Sequence, residues 1–214
     1  MRERILAQIK QRTDMLSGVS HDLRTPLTRM RLELEMIEDS DATKSLKSDI
    51  TEMEHMLEAY LSFARGEGHE KPTLTNLSTL IESVIQKSKK EGRSISFYEY
   101  KKIMLPIRFN SIKRSLTNIL NNANQYAKNV SIQIQEKKKL IEIIVDDDGP
   151  GIPKAQRDDV FKPFYRIEHS RNSETGGVGL GLTIVRDVIR SHGGEVTLGE
   201  SPSGGLRVNL SLPL

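Results

Sequence analysis

Apolar residues in the first third of the chain fall on two helical seams. Ile9, Leu16, Val19, Leu23, Leu27, Met30, Leu34 and Ile37 step mostly by three, four or seven. That is coiled-coil spacing, and it predicts a long helix from about Glu3 to Asp39. Between Val19 and Met30 the steps are four, four and three. This stutter locally relaxes a supercoil, and Pro26 within the same stretch predicts a kink. Ser40, Asp41 and Ala42 form a short connector in which Ser40 or Asp41 can cap the next helix. The second seam is Leu46, Ile50, Met53, Leu57, Tyr60 and Ala64. Helices joined this tightly lie antiparallel. One hairpin buries both seams poorly, whereas two hairpins bury them as a four-helix bundle. The pattern therefore predicts a homodimer through residues 1–66. The alternative, a hairpin packed on the rest of its own chain, is disfavoured by the length of both seams.

Gly66, Gly68 and Pro72 mark a break, and residues 67–72 read as a linker. The texture then changes. Leu77–Lys90 is a predicted helix capped by Asn76 or Ser78. Ile95–Tyr100 and Ile103–Phe109 are strand-like, and Ser111–Lys128 is a helix. Val130–Gln135 and Leu140–Val145 look like a hairpin. Leu182–Ser191 is a helix ended by Gly193 and Gly194, and Glu195–Leu198 and Leu206–Leu212 are closing strands. The predicted fold is an all-α helical hairpin forming a dimeric four-helix bundle, followed over 73–214 by an α+β sandwich. The sandwich has helices on one face of a mostly antiparallel sheet.

Composition narrows the chemistry. The 214 residues contain no cysteine, which excludes disulfides, thiolate metal sites and cysteine nucleophiles. The formal charge of +3 is small, and basic residues alternate with acidic ones, so nucleic acid is not an expected partner. Lys137, Lys138 and Lys139 are the densest basic run and read as a solvated hairpin turn. No apolar stretch approaches the ~20 residues that span a bilayer. No signal sequence opens the chain. A soluble, cytoplasmic chain is expected, and a membrane-anchored parent is compatible with it.

His21 is the first chemical candidate. Val19 and Leu23 lie on the seam two residues to either side, ~200° around a helix, so His21 points away from the core. Arg24 and Thr25 share its face. Imidazole is a fair nucleophile near neutral pH, but a single exposed histidine is ordinarily a plain surface residue. The run Ser20-His21-Asp22-Leu23-Arg24-Thr25-Pro26-Leu27, however, resembles the phosphoacceptor box of sensor histidine kinases. The wider stretch from Gly18 to Arg29 is similar to osmosensing kinases of the EnvZ type. The resemblance implies that His21 is phosphorylated. It implies that Asp22 orients or deprotonates the imidazole, and that Thr25 positions water for the reverse, phosphatase reaction. Adjacent residues do not face one another on a helix. Help from Asp22 thus needs a bent rotamer or the Pro26 kink.

Four further blocks follow in the order that family has. Asn118, Asn122 and Tyr126 recur every four residues and line one helix face. Asparagine is a poor helix former, so such a stripe needs a purpose. The block resembles the family's N box. By that resemblance Asn122 holds Mg²⁺, Asn118 supports the phosphates and Tyr126 flanks the nucleotide. The family usually has Lys or Arg where this chain has Gln125, and Lys128 or a later basic residue is expected to substitute. Asp146-Asp147-Asp148-Gly149-Pro150-Gly151-Ile152 is similar to the first glycine box. By that resemblance Asp148 is the acceptor for the adenine amino group, with Gly149, Gly151 and Ile152 against the base. Three successive acids leaving a strand diverge, which argues against a metal site. Val160–Arg166 resembles the F box, with Phe161 and Phe164 expected to anchor a mobile loop and Arg166 to reach phosphate. Residues 167–175 are polar, as an ATP lid should be. Gly176-Gly177-Val178-Gly179-Leu180-Gly181-Leu182 is similar to the second glycine box. Gly177, Gly179, Leu180 and Gly181 would there present backbone N–H groups to phosphate.

The resemblance implies an ATP-binding domain of the histidine kinase and Hsp90-like ATPase fold, with ATP and Mg²⁺ as cofactors. The implied partner is the receiver domain of a response regulator. The rival readings are a non-catalytic dimeric docking scaffold with a degenerate nucleotide pocket, an ATPase of the same superfamily, and a net phosphatase. His55, His69 and His192 are assigned no catalytic role, and His192 sits near a helix end that favours a partly cationic ring.

Overall fold

The computed structural model of the chain describes residues 22–38, 40–64, 70–88, 94–98, 102–167 and 178–214. His21, the lid residues 168–175 and Gly177 lie outside them. The chain divides into two units, Met1–Gly68 and His69–Leu214.

The first unit is a helical hairpin. Helix α1 covers 22–35 in the described residues and runs unbroken through Pro26. Helix α2 spans Asp41–Ala64. Ser40 is the cap: its Oγ accepts the Thr43 N–H at 3.2 Å, while Thr43 Oγ1 accepts the Ser40 N–H at 2.6 Å. This is a reciprocal capping box with threonine in the third helical position. Arg31 pairs with Glu54 and Lys47 with Glu35, each at 3.3 Å, which fixes the antiparallel order. Leu27, Leu34 and Ile50 are buried together, with Leu57 packed against them. Of the other seam residues whose burial is described, Leu23, Met30, Leu46 and Met53 stay 47–49% exposed and Ile37 54%; Ile9, Leu16 and Val19 lie outside the described residues.

The second unit is a layer of helices on a five-stranded sheet. Its strands and helices are β1 Thr73–Asn76, α3 Leu77–Ser88, β2 Ser94–Tyr98, β3 Met104–Ile107, α4 Phe109–Tyr126, β4 Asn129–Lys137, β5 Leu140–Asp147, α5 Gly181–Ser191, β6 Glu195–Glu200 and β7 Leu206–Pro213. The large sheet has the order β2-β4-β5-β7-β6. Only β2 and β4 pair in parallel; the remaining pairs are antiparallel. The β4–β5 hairpin turns at Lys138 and Lys139, where Lys137 pairs with Leu140 and Lys138 has φ +42°. Alternate residues Val130, Ile132 and Ile134, Ile141, Ile143 and Val145, and Val208, Leu210 and Leu212 are buried. Leu80, Ile81, Ile112, Leu116, Ile119, Leu120, Val185 and Ile189 are buried on the helices. Two-residue periodicity on the strands thus matches helical periodicity above them.

Two expectations are corrected. The four-residue β1, antiparallel to β3 in a separate two-stranded sheet, was not expected. Phe109, placed in a strand by its hydrophobicity, instead opens α4. The helix ends explain themselves locally. Asn76 Oδ1 accepts the Ser78 N–H at 3.2 Å and caps α3. Helix α5 stops in a Schellman turn: Gly193 N–H meets Arg190 O, Gly194 N–H meets Ile189 O, and Gly193 has φ +76°.

Helix α4 has no cap in its own sequence, because Arg108 precedes it. Glu70 supplies one from 40 residues upstream. Its carboxylate accepts the backbone N–H of Asn110 and Ser111 at 2.8 and 3.1 Å, together with Asn110 Nδ2 and Ser111 Oγ. Glu70 therefore belongs structurally to the second unit, although it falls in the stretch read as linker. The same end of α4 is tied to the end of α5. Arg108 N–H donates to His192 Nε2 at 3.1 Å, and the Arg108 guanidinium donates to Ser191 O at 2.6 Å. His192 Nδ1 lies 2.8 Å from Val188 O.

Candidate nucleotide-binding site

The middle and end of α4 face the start of α5. Asn118 and Asn122 are half-buried on that face. Asn118 Nδ2 reaches Gly181 O at 3.4 Å. A Cβ on Gly181 would stand 3.8 Å from Asn122 Oδ1. Gly181 thus stands across a narrow gap from the asparagine stripe at the first turn of α5, where unpaired backbone N–H groups favour an anion. Tyr126 ends the same stripe and is 45% exposed. Asn124 does a different job: it is buried and its Nδ2 donates to Ser88 O at 2.7 Å, joining α4 to α3.

The loop after β5 closes the end of this gap. Gly149 lies against α4, and a Cβ there would sit 3.1 Å from Tyr126 O. Gly151 has φ +69° and faces Gly205 O. The acids separate as strand geometry requires, but their roles differ from the expectation. Asp146 is buried and forms a two-pronged pair with Arg207, Nε and Nη2 each at 2.7 Å. Asp148 turns back toward β4. Its Oδ1 accepts the N–H groups of Lys128 and Asn129 at 2.8 and 2.9 Å, and its Oδ2 accepts Asn129 Nδ2 at 2.7 Å. The bonds from Asn129, and after them the Lys128 amide, hold the Asp148 carboxyl below its ordinary range. Both oxygens thus accept hydrogen bonds from Lys128 and Asn129, which sets Asp148 apart from the acid expected to meet the base.

Asp147, the middle acid, is placed differently from both neighbours. It is 8% exposed. Its Oδ1 accepts the N–H of Gly149 at 2.9 Å and of Leu206 at 3.0 Å. Its Oδ2 receives no hydrogen bond from the described residues. Burial pushes the carboxyl up from its ordinary value, reinforced by the charges of Asp148 and Asp146 and opposed by the two backbone bonds. Counting back from the glycines, Asp147 stands two residues before Gly149 and four before Gly151, and that spacing was the available signal.

The segment before the lid is built on α5. Phe161 is buried; its ring lies 4.8 Å from the Arg186 guanidinium, and its carbonyl accepts Thr183 Oγ1 and Arg186 Nη2 at 3.0 Å each. Thr183 and Arg186 were not singled out from the sequence. Phe164 differs from expectation, since its ring is 56% exposed and it anchors through its backbone at φ +63°. Arg166 and Ile152 are half-buried near this loop and the one after β5, Lys128 is exposed, and Leu180 is buried at the head of α5. In the first unit, Asp22 and Thr25 are exposed on α1.

The residues fit a Mg²⁺-bound triphosphate. Among the described residues no group of three or more histidines, cysteines or acids could cage a metal. Mg²⁺ suits such a place, because it dehydrates reluctantly and takes most of its ligands from phosphates and water. The Asn122 amide oxygen at the gap is a hard donor of the right kind.

Comparison with known proteins agrees with this geometry. Residues 11–69 match the model of the His Kinase A (phospho-acceptor) domain. Residues 109–214 match that of the histidine kinase-, DNA gyrase B-, and HSP90-like ATPases. The chain is 33% identical over 214 residues to the sensor histidine kinase GtrS of Pseudomonas aeruginosa, covering 100% of this chain and 44% of that protein. It is 36% identical to the sensor protein RstB of Escherichia coli, covering 100% and 52%. It is 32% identical to the sensor histidine kinase CpxA of Escherichia coli, covering 94% and 46%. The chain therefore spans about half the length of the curated relatives it matches. Among solved structures, full-length ShkA in complex with AMPPNP superposes with a TM-score of 0.69 at 22% identity, over 94% of this chain and 45% of that one. The ATP-binding domain of PrrB from Mycobacterium tuberculosis gives 0.57 at 23%, over 67% and 97%. These likenesses show the fold, an α-helical hairpin followed by an Hsp90-like ATPase domain. With the two domain models and the match along this whole chain to named kinases, these findings show that the chain belongs to the sensor histidine kinases of two-component systems.

Proposed function

We propose that this chain is a kinase core that uses MgATP to phosphorylate His21 and passes the phosphoryl group to an aspartate of a response-regulator receiver domain. In the first step an imidazole nitrogen attacks the γ-phosphorus, the bond to the β-phosphate oxygen breaks, and ADP leaves. Such transfers depend mainly on positioning and charge neutralisation. Asn118 and Gly181 would cradle the phosphates, with Gly177, Gly179 and Arg166 nearby in sequence. Asn122 would hold Mg²⁺, which supplies the neutralising charge. Tyr126 and Ile152 would flank the base. Asp147, not Asp148, would accept the adenine amino group through Oδ2. The chemistry is complementary, because that amino group is a donor and a carboxylate only accepts.

The observation that carries this reading is the meeting of Asn118, Asn122 and Gly181, with the loop after Asp147 lying against Tyr126 at the end of the same helix. The ShkA structure that the chain resembles was determined with AMPPNP, an ATP analogue, which supports a nucleotide in this place. A homodimer through residues 1–66 is supported by the half-exposed Leu23, Met30, Leu46 and Met53. Among the described residues no helix is long and apolar enough to cross a membrane. We place the chain as the cytoplasmic portion of a longer, membrane-anchored sensor, in keeping with the sensor proteins it half spans.

The test is incubation with γ-labelled ATP, with and without Mg²⁺, on wild type and Asn122→Ala. Label should enter wild type only with Mg²⁺, leave it on addition of a cognate receiver domain, and fail to enter the variant. Failure of wild type to bind ATP would favour the docking scaffold instead. A phosphatase role is a second reading, favoured by Thr25 sitting three residues from Asp22 on one exposed face of α1. Thr25→Ala should then abolish dephosphorylation of the regulator and spare self-phosphorylation.

A further inference from the structure

The β5–β7 ladder ends at the pair Asp146 and Arg207. One step further, Leu206 stands opposite Asp147, yet its N–H goes to the side-chain Oδ1 of Asp147 and not to its carbonyl. The carbonyl is occupied by hydroxyls. Ser201 Oγ donates to Asp147 O at 2.6 Å and Ser203 Oγ at 3.2 Å. Ser201 Oγ in turn accepts the Gly205 N–H at 2.9 Å, and the Ser201 N–H meets Gly205 O at 3.0 Å. Ser201 is 5% exposed. A Cβ on Gly205 would collide with Asp147 O and lie 2.6 Å from Oδ1 and 2.7 Å from Gly149 N. The turn between β6 and β7 is thus folded tightly around one carboxylate.

We propose that Ser201 is a positioning residue for adenine recognition, acting through Asp147. By capping the main-chain carbonyl, its hydroxyl leaves the Leu206 N–H to the carboxylate. Oδ1 is then held by two amides, and Oδ2 keeps one direction. Without the Ser201 hydroxyl, the carbonyl keeps only the longer 3.2 Å bond from Ser203, competes for the Leu206 N–H, and the carboxylate loses a restraint. A buried unsatisfied acceptor is costly enough to drive that exchange. The proposal rests on the reading that Asp147 contacts the adenine amino group.

The test measures binding of ATP, GTP and inorganic tripolyphosphate, each with Mg²⁺, to the full chain. The variants are Ser201→Ala, Ser201→Thr, Ser203→Ala, Asp147→Asn and the double variant S201A/D147N. S201A should weaken ATP by about tenfold, the size expected for misplacing one hydrogen bond to a charged group, and leave GTP and tripolyphosphate within about twofold. Ser201→Thr, which keeps the hydroxyl, should restore ATP binding. Adding S201A to D147N should cost nothing more, because both act on one contact. If S201A does not fold, Ser203→Ala decides the matter by a smaller loss confined to ATP. Equal loss of tripolyphosphate, additivity with D147N, or unchanged ATP affinity in S201A would overturn the proposal. Unchanged ATP affinity in D147N would remove the adenine reading itself, and the proposal with it.

Discussion

The amide of Phe164 donates to the carbonyl of Gly179 at 3.0 Å, and both residues are left-handed, with φ of +63° and +73°. This bond joins the end of the segment before the lid to the loop that leads into α5. It is too close for a side chain. A Cβ on Gly179 would lie 2.9 Å from both Phe164 C and Tyr165 O. Both are backbone atoms, which have no rotamer by which to withdraw. Gly179→Ala should therefore cost roughly 1–3 kcal/mol, from the unfavourable φ and the displaced backbone. Thermal unfolding with and without ATP checks this. The melting temperature should fall, and the stabilisation by ATP should shrink because Gly181 moves with the loop.

Asp147 makes the opposite prediction for stability. Burial raises its carboxyl above the ordinary range, so the native state binds a proton more readily than the unfolded chain. Unfolding free energy then falls as pH rises through the interval between the ordinary and the raised value. Above that interval the penalty is fully present. Asp147→Asn keeps an oxygen for the two backbone amides and removes the charge. It should raise the melting temperature at pH 7, lose that advantage in acid, and abolish tight ATP binding. A lower melting temperature at pH 7 would contradict the account.

Glu70 behaves as an ordinary stabilising carboxylate. Desolvation pushes its carboxyl up, but the bonds from Asn110 and Ser111 together outweigh it and hold the group below its usual value. Stability from a lowered carboxyl is present above the unfolded value and is lost as pH falls through the folded one. Glu70→Ala should cost about 1 kcal/mol, the worth of a helix cap. That corresponds to a fall of about 2–4 °C at neutral pH and little at low pH.

Arg207 and Asp146 carry a larger effect. Asp146 is buried, while the Arg207 side chain keeps 37% of its exposure. The bond from Asp146 raises the guanidinium further above its ordinary value. Arg207→Ala leaves a buried carboxylate alone and should cost about 3 kcal/mol, the low end for breaking a buried pair. Lysine should rescue little, because it cannot make the two-pronged contact. Removing Asp146 as well should recover much of the loss, which urea unfolding of the single and double variants will show.

The regular elements were legible because burial imposes their periods. The seams through Leu27, Leu34 and Ile50 gave the hairpin, and alternation in β4, β5 and β7 gave the sheet. β1 was not legible: Thr73, Leu74, Thr75 and Asn76 are exposed or half-buried, so no core face marks them. Glu70 was hidden because its partners lie 40 and 41 residues away, and a cap supplied from a distance leaves no local signature. The asparagine stripe and the glycine loops were readable from residue type and spacing. The distinct surroundings of three adjacent acids were not legible, since partners such as Arg207, Asn129 and Leu206, all from other strands, decide where each carboxylate turns. Phe164 was expected to anchor by the F-box resemblance, but it is 56% exposed and has a left-handed backbone.

The central claim is phosphoryl transfer to His21, and it is most directly tested by locating the phosphate. Wild type and His21→Gln are incubated with γ-labelled MgATP, and the modified residue is mapped by mass spectrometry under alkaline conditions that preserve phosphohistidine. The account predicts an acid-labile phosphate on His21 in wild type and none in H21Q, with ATP affinity of the variant unchanged. Label in H21Q at the wild-type level, or phosphate on any other residue of wild type, would contradict it.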